Sequence, residues 1–355
     1  MSVSDIVTST DVPPIVQSLF DHHKVSNYDG HTMPLCSLKV TKLLDGFFIG
    51  ISMNHAVVDG IAFFNFCTAW FEIIHAQLQA KSPLHDFPIS HPPIHNRWFP
   101  DSCDSFVNIP LKYMDDFKTK PETTEFREKI FHFSGEFIAK LKANANRESK
   151  NTEISSLQSL AAHVWRSITR ARNLPYDQKT RCKLAIDNRS RLEPPLPQEY
   201  FGNAFGFVIA ESKAGELLEH DLGWAARKVH LAVSNYNDKE VRHVANELLK
   251  HPLQYQFGSY YDSYDVVLTH SPKFNPYGKD LWLWEGVQVL TGRNNKHDGK
   301  VRPSPSSDGR GNIDLEVSLS PNAMKALESD EEIYASKGQH QAQAQAAATQ
   351  TDKMF

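Results

Sequence analysis

Cysteine is scarce in this sequence: Cys36, Cys67, Cys103 and Cys182 are the only four in 355 residues, far apart and with no C-x-x-C pair. That spacing suits neither a zinc site nor a disulfide-dense secreted scaffold. Long apolar runs are missing too. No stretch approaches the roughly 18 consecutive apolar residues that a membrane span requires. Charge of one sign is not concentrated anywhere: 38 Lys and Arg stand against 42 Asp and Glu, for a formal net charge of -4. Nucleic acid is therefore not an expected partner, because neutralising phosphates needs a clustered cationic surface. The same balance removes a polybasic case for binding an anionic membrane. The first fifteen residues contain Asp5 and Asp11 and lack a basic start followed by an apolar run, so they do not read as a signal peptide. There is no G-x-G-x-x-G and no Walker lysine motif, which sets aside dinucleotide and phosphate-loop readings. A reduced, cytoplasmic, monomeric protein with no metal and no bound cofactor is the expectation.

What is present is a large apolar fraction, 40% hydrophobic and 11% aromatic, in a chain long enough for two packed domains. Two β-prone runs, 36–43 and 47–53, flank Asp45-Gly46 and predict a hairpin. The second run ends at Asn54-His55, so His55 falls where a strand gives way to a loop. After Gly60, residues 61–78 are rich in apolar side chains with no Pro or Gly, which predicts a largely buried helix. Seven prolines between 82 and 122 mark an extended connector. Beyond it, helices are expected at 134–144, at 155–172 behind a Ser155…Gln158 capping box, at 222–234, at 239–250 and from Ser320-Pro321 onward. Strands are expected at 183–187, 204–210, 265–270, 287–290 and 312–318. The mixture predicts an α/β class, with a partial first domain over 1–81, a linker over 82–122, a second domain over 123–334 and a low-complexity tail over 335–355.

The candidate chemistry lies in His55-Ala-Val-Val-Asp59-Gly60. Its spacing alone says little, since 17 His and 23 Asp in 355 residues predict about one His-x-x-x-Asp by chance, and there is one. Its context says more. A neutral imidazole at the end of a strand, followed by small apolar residues, can take a proton from an acceptor hydroxyl or amine. Asp59 has two readings: it orients the imidazole as a triad carboxylate does, or it turns away and pins the loop through an arginine. The bland alternative for His55 is a structural histidine.

Several ordered blocks resemble the plant BAHD acyltransferases. His55-Ala-Val-Val-Asp59-Gly60 is similar to their HxxxD signature, and Asp45-Gly46-Phe-Phe-Ile-Gly50 to the strand ahead of it. Ser155-Ser-Leu-Gln158…Ala162-His-Val-Trp165-Arg166 resembles the first helix after their crossover loop. Ile186-Asp-Asn-Arg189-Ser-Arg191…Tyr200-Phe-Gly-Asn203 resembles a further block, and Leu222-Gly-Trp224 and Asn312-Ile-Asp-Leu-Glu316 add to it. The likeness runs from about residue 13 to residue 334. It implies two chloramphenicol-acetyltransferase-like domains with a channel between them, acyl-CoA entering from one face and a small-molecule acceptor from the other. It also implies that His55 is the general base, that Asp59 and Gly60 shape its loop, and that Asp59 is paired with Arg189 or Arg191.

The chain departs from that pattern at two places. The family's Asp-Phe-Gly-Trp-Gly signature should follow Pro276-Tyr-Gly278, where this chain has Asp280-Leu281-Trp282-Leu283-Trp284, followed by Glu285 where relatives using shikimate present an arginine. Large residues replace both glycines, and the tryptophans also admit a plain packing role. The segment before the hairpin is also short, about fifty residues, which implies an N-terminal truncation that would expose apolar faces of the 61–78 helix. The alternatives to acyl transfer are a non-catalytic small-molecule binding module and CoA-independent lyase or hydrolase chemistry on an ester. Gly50-Ile-Ser52-Met-Asn54 lacks the second glycine of a nucleophile elbow. His91-Pro-Pro-Ile-His95 has prolines that preclude a helical metal pair.

Overall fold

The computed structural model describes residues 1–80, 87–100, 125–150, 153–250, 262–269, 277, 288–292 and 296–333. Asp280, Leu281, Trp282, Leu283 and Trp284 fall outside these residues, as does the 335–355 tail. Of the proline-rich connector, 87–100 is described and carries a single parallel bridge, Ile94 to Tyr200.

A short helix α1 (Val3–Val7) and two 3-10 turns (Pro14–Leu19 and Asn27–His31) precede the hairpin of β1 (Cys36–Lys42) and β2 (Phe47–Met53). The hairpin register pairs Lys42 with Phe47, so the loop is four residues long, not a two-residue Asp-Gly turn. Leu43 N–H donates to Gly46 C=O across it at 2.9 Å. The Asp45 carboxylate instead accepts from the N–H of Val3 at 2.6 Å and so docks α1. Gly50 is required by close approach, since a Cβ there would sit 2.4 Å from the carbonyl oxygen of Leu19. A small core of Ile6, Val16, Leu19 and Leu43 ties these pieces together.

Helix α2 (Gly60–Gln79) follows directly, with Asp59 as its N-cap. It is less buried than its composition predicts. Ala62, Cys67 and Phe71 are buried, while Ile73 and Leu78 are exposed and most other positions lie between. The continuous apolar run gives α2 no distinct polar stripe, so burial on one side leaves apolar residues on the other.

The second region is a six-stranded sheet in the order β3-β8-β7-β6-β4-β5. Its strands are β3 (Arg127–Phe133), β4 (Lys179–Asp187), β5 (Phe205–Lys213), β6 (Val266–Leu268), β7 (Lys300–Pro305) and β8 (Ile313–Leu319). β4–β6 and β6–β7 are parallel and the other pairs antiparallel. The helices are α3 (Gly135–Ser149), α4 (Ser156–Ala171), α5 (Ala214–Glu219), α6 (Leu222–Ser234), α7 (Asp238–Lys250) and α8 (Pro321–Glu328). The α4 capping box forms as its sequence predicts: Gln158 N–H donates to Ser155 Oγ at 3.2 Å and Ser155 N–H to Gln158 Oε1 at 2.9 Å. α3, α4 and α6 pack on one another. Leu160, Val164, Trp165 and Ile168 of α4 share the main core with Val266, Leu268, Val301, Leu315 and Val317 of the sheet. Trp165 satisfies its indole N–H on Thr180 Oγ1 at 3.0 Å, so its burial leaves no polar atom stranded.

The strand expected at 287–290 is absent at 288–290, which run as irregular chain. β3 and β7 are strands that periodicity did not expose. β3 reads Arg-Glu-Lys-Ile-Phe-His-Phe, too charged for a strand of a buried sheet. Its charges are met by distant partners: Asp11 and Glu328 for Arg127, Glu328 for Lys129, and Lys296 for Glu128. β7 contains Pro303 and Pro305. Both lie past the point where β6 stops pairing at Val301, so their missing N–H groups break no bond to β6.

Candidate active site

β2 delivers the chain to Asn54, a turn over 55–57 carries His55, and Asp59 opens α2. The imidazole is half-buried and faces the second region. Its ring lies 5.7 Å from the ring of Phe205, the first residue of β5. Its peptide is held on both sides: His55 N–H donates to Asn27 Oδ1 at 3.1 Å, and His55 C=O accepts from Asn203 Nδ2 at 2.8 Å. Among the described residues neither ring nitrogen has a hydrogen-bond partner.

Asp59 is 3% exposed and its carboxylate is saturated. Oδ1 accepts from the N–H of Ala62 at 2.9 Å and from Arg189 Nη2 at 3.0 Å. Oδ2 accepts from Arg189 Nη1 at 2.8 Å and from the N–H of Ala204 at 2.9 Å. One carboxylate thus caps α2, takes a bidentate guanidinium and meets the chain just before β5. None of its bonds goes to His55. Of the two readings open on sequence, the geometry is that of the loop-pinning carboxylate.

Arg189 is fully buried, and both of its terminal nitrogens have acceptors beyond Asp59, while its Nε–H has no partner among the described residues. Nη2 reaches the carbonyl of Tyr200 at 2.9 Å and Nη1 reaches Asp187 Oδ1 at 3.1 Å. The planar fork suits this arrangement, since one cation meets two carboxylates and the carbonyls of Tyr200 and Gly202 at fixed angles. Arg191 does not join it. Its Nη1 donates to the carbonyls of Val233, at 3.1 Å, and Tyr236, at the end of α6. The chain turns between the two arginines, with Arg191 N–H donating to the Asn188 carbonyl at 3.0 Å, so the second side chain points away and spacing alone could not choose between them. Gly60 is the first residue of α2, and a Cβ there would meet nothing within 4 Å, so no close contact requires glycine.

Further bonds join the same surfaces. Asn65 Nδ2 donates to the carbonyl of Gln198 at 3.0 Å, and Asp59 N–H to that of Gly202 at 3.4 Å. Asn27, Asn203, Ala204 and Phe205 are site neighbours to which the sequence pattern gave no role. Asn203 lay inside a block that resembles the family, whereas Asn27 carried no signal. His91 and His95 diverge: His91 Nδ1 lies 3.2 Å from Glu199 Oε1, and His95 packs its ring on Phe201 at 5.3 Å. Among the described residues no group of three His, Cys, Asp or Glu could hold a metal, and no helix is long and apolar enough to cross a membrane.

Residues 2–334 match the model of a family described as the Transferase family. The chain is 28% identical over 347 residues to the BAHD acyltransferase DCR of Arabidopsis thaliana, covering 94% of this chain and 69% of that one. The chain belongs to the BAHD acyltransferase family. It is 32% identical over 344 residues to an uncharacterized acetyltransferase of the same plant, covering 94% of this chain and 74% of that relative. Among solved structures, F. graminearum TRI101 complexed with coenzyme A and T-2 mycotoxin superposes with a TM-score of 0.65. It covers 85% of this chain and 68% of that one at 16% identity, and so shows a shared fold. Membership makes this BAHD protein an enzyme, an acyl-CoA-dependent acyltransferase.

Proposed function

We propose that this acyltransferase moves an acyl group from an acyl-CoA thioester to a hydroxyl or amine of a small plant metabolite, with His55 as the general base. A ring nitrogen of His55 takes the proton of the acceptor as its oxygen or nitrogen attacks the thioester carbonyl. The tetrahedral intermediate collapses, the C–S bond breaks, and the imidazolium returns the proton to the departing thiolate. No covalent acyl-enzyme is needed, because both substrates meet at the same imidazole. The complex of TRI101 with coenzyme A and T-2 mycotoxin supports such a meeting on the shared fold.

The observation behind this proposal is the division of labour within the loop. Asp59 spends all its bonds on Arg189 and on two backbone N–H groups, while the imidazole four residues earlier keeps both nitrogens unengaged by the described residues. A histidine serving only to pack or to pin the loop would be expected to use at least one of them. His55→Ala should lower acceptor-dependent thiol release by about 10²- to 10⁴-fold, the usual contribution of a general base. The unfolding midpoint should stay close to that of wild type. Thiol release at the wild-type rate from His55→Ala would remove the base from this role.

A further inference from the structure

The three hydrogen bonds around the His55 peptide come from asparagines in three different places. Asn27 belongs to a 3-10 turn, Asn54 directly follows β2, and Asn203 lies 148 residues away from His55, just ahead of β5. On the near side they close a ring. Asn27 Oδ1 accepts from His55 N–H, Asn27 C=O accepts from Asn54 Nδ2 at 2.7 Å, and Asn54 Oδ1 accepts from Ala56 N–H at 2.9 Å. Gly30 leaves the space for this ring, since a Cβ there would stand 2.4 Å from Asn54 Nδ2. Those bonds fix the peptide before His55 and the N–H side of the peptide after it. The carbonyl side of that second peptide is fixed from across the site, where Asn203 Nδ2 donates to His55 C=O at 2.8 Å.

We propose that Asn203 is a positioning residue for acyl transfer, setting the direction of the His55 imidazole by holding its carbonyl from the opposite wall. This rests on the reading of His55 as the base. Once the peptides on both sides are held, little freedom is left in φ and ψ of His55, and the Cα–Cβ bond takes one direction. Among the described residues, Asn203 makes the only hydrogen bond from the second region to His55 itself. It sits in the same short segment whose Gly202 carbonyl accepts from Asp59 N–H and whose Ala204 N–H donates to Asp59. The segment therefore gauges the loop at both ends, at its base and at its acid. An amide is the fitting side chain, because a carboxylate has no hydrogen to offer a carbonyl.

The test is a kinetic cycle on the full chain. Misplacing a reacting group by about 1 Å costs up to about 10²-fold, so Asn203→Ala and Asn203→Asp should each lower kcat by about 10- to 10²-fold with KM for acyl-CoA nearly unchanged. Asn203→Gln keeps the donor on a longer arm and should recover part of the loss. In a His55→Ala background, Asn203→Ala should leave the residual rate unchanged, since a residue that works through the imidazole has nothing left to position. A purely structural role would show as an equal loss in both backgrounds or as a fallen unfolding midpoint, and either result overturns the proposal, as does full kcat in Asn203→Asp. If His55→Ala itself releases thiol at the wild-type rate, the base assignment has failed, and the cycle records that separately.

Discussion

Behind Arg189 stands a sheet six strands wide, covered on one face by packed helices, with Trp165, Leu160 and Ile168 fully buried. Behind His55 stands a sheet of two strands whose outer strand turns Leu38 and Val40 to an exposed face and whose small core has four buried side chains. The His55 loop is thus carried by the lighter half of the molecule and held in place by the heavier one. Asp59 is the link, for it receives an arginine buried in the second region and a backbone N–H at the mouth of β5. The aspartate of the His55-x-x-x-Asp59 spacing is therefore a fastening device. The histidine needs a loop, and the loop needs an anchor on something that does not move.

Cutting the anchor should show the largest effect. Arg189→Ala leaves the Asp59 carboxylate buried without its cation, a change that typically costs about 3–5 kcal/mol. Denaturant unfolding should register that loss, and thiol release should fall with it, because the His55 loop loses its tether. A smaller contrast compares the two halves directly. Leu160→Ala removes a fully buried side chain from the main core and should cost about 2–5 kcal/mol. Leu38→Ala, on the exposed face of β1, should stay within about 0.5 kcal/mol. Equal losses at the two positions would abolish the distinction drawn between the halves.

The smallest effect is a pH dependence confined to the heavier half. His132 of β3 meets Asp314 Oδ1 through its Nδ1 over 2.8 Å, and that bond raises its pKa above the ordinary 6.5 against the opposing effect of burial. A histidine raised in the folded state adds stability that is fully present below the unfolded value and is lost as pH rises through the folded one. The advantage of wild type over His132→Gln in thermal unfolding should therefore be widest below about pH 6.5 and shrink above it. A gap independent of pH would show that His132 contributes by packing alone.

Much of the fold was legible where local chemistry and global packing agree. The Ser155…Gln158 capping box, the Ser320-Pro321 helix start and the hairpin at Asp45-Gly46 all announce themselves within a few residues. What stayed hidden depends on partners far along the chain. The charges of β3 look unsuited to a buried sheet until Asp11, Lys296 and Glu328 arrive, and the prolines of β7 look like breakers until β6 is seen to end first. The site divides in the same way. His55 and Asp59 are visible as a local pattern, whereas the choice of Arg189 over Arg191 turns on which way each side chain points out of one segment. Asn27 and Asn203 act on the backbone of His55, and a backbone contact leaves no residue-type pattern to read.

The most direct test is a crystal structure of the protein with a non-hydrolysable acyl-CoA analogue and an acceptor alcohol bound together. The acceptor oxygen should lie within about 2.6–3.2 Å of a ring nitrogen of His55, with both Asp59 oxygens still on Arg189. An acceptor bound out of reach of that imidazole would contradict the role given to His55, and an Asp59 swung from Arg189 onto the ring would contradict its role as the anchor of the loop.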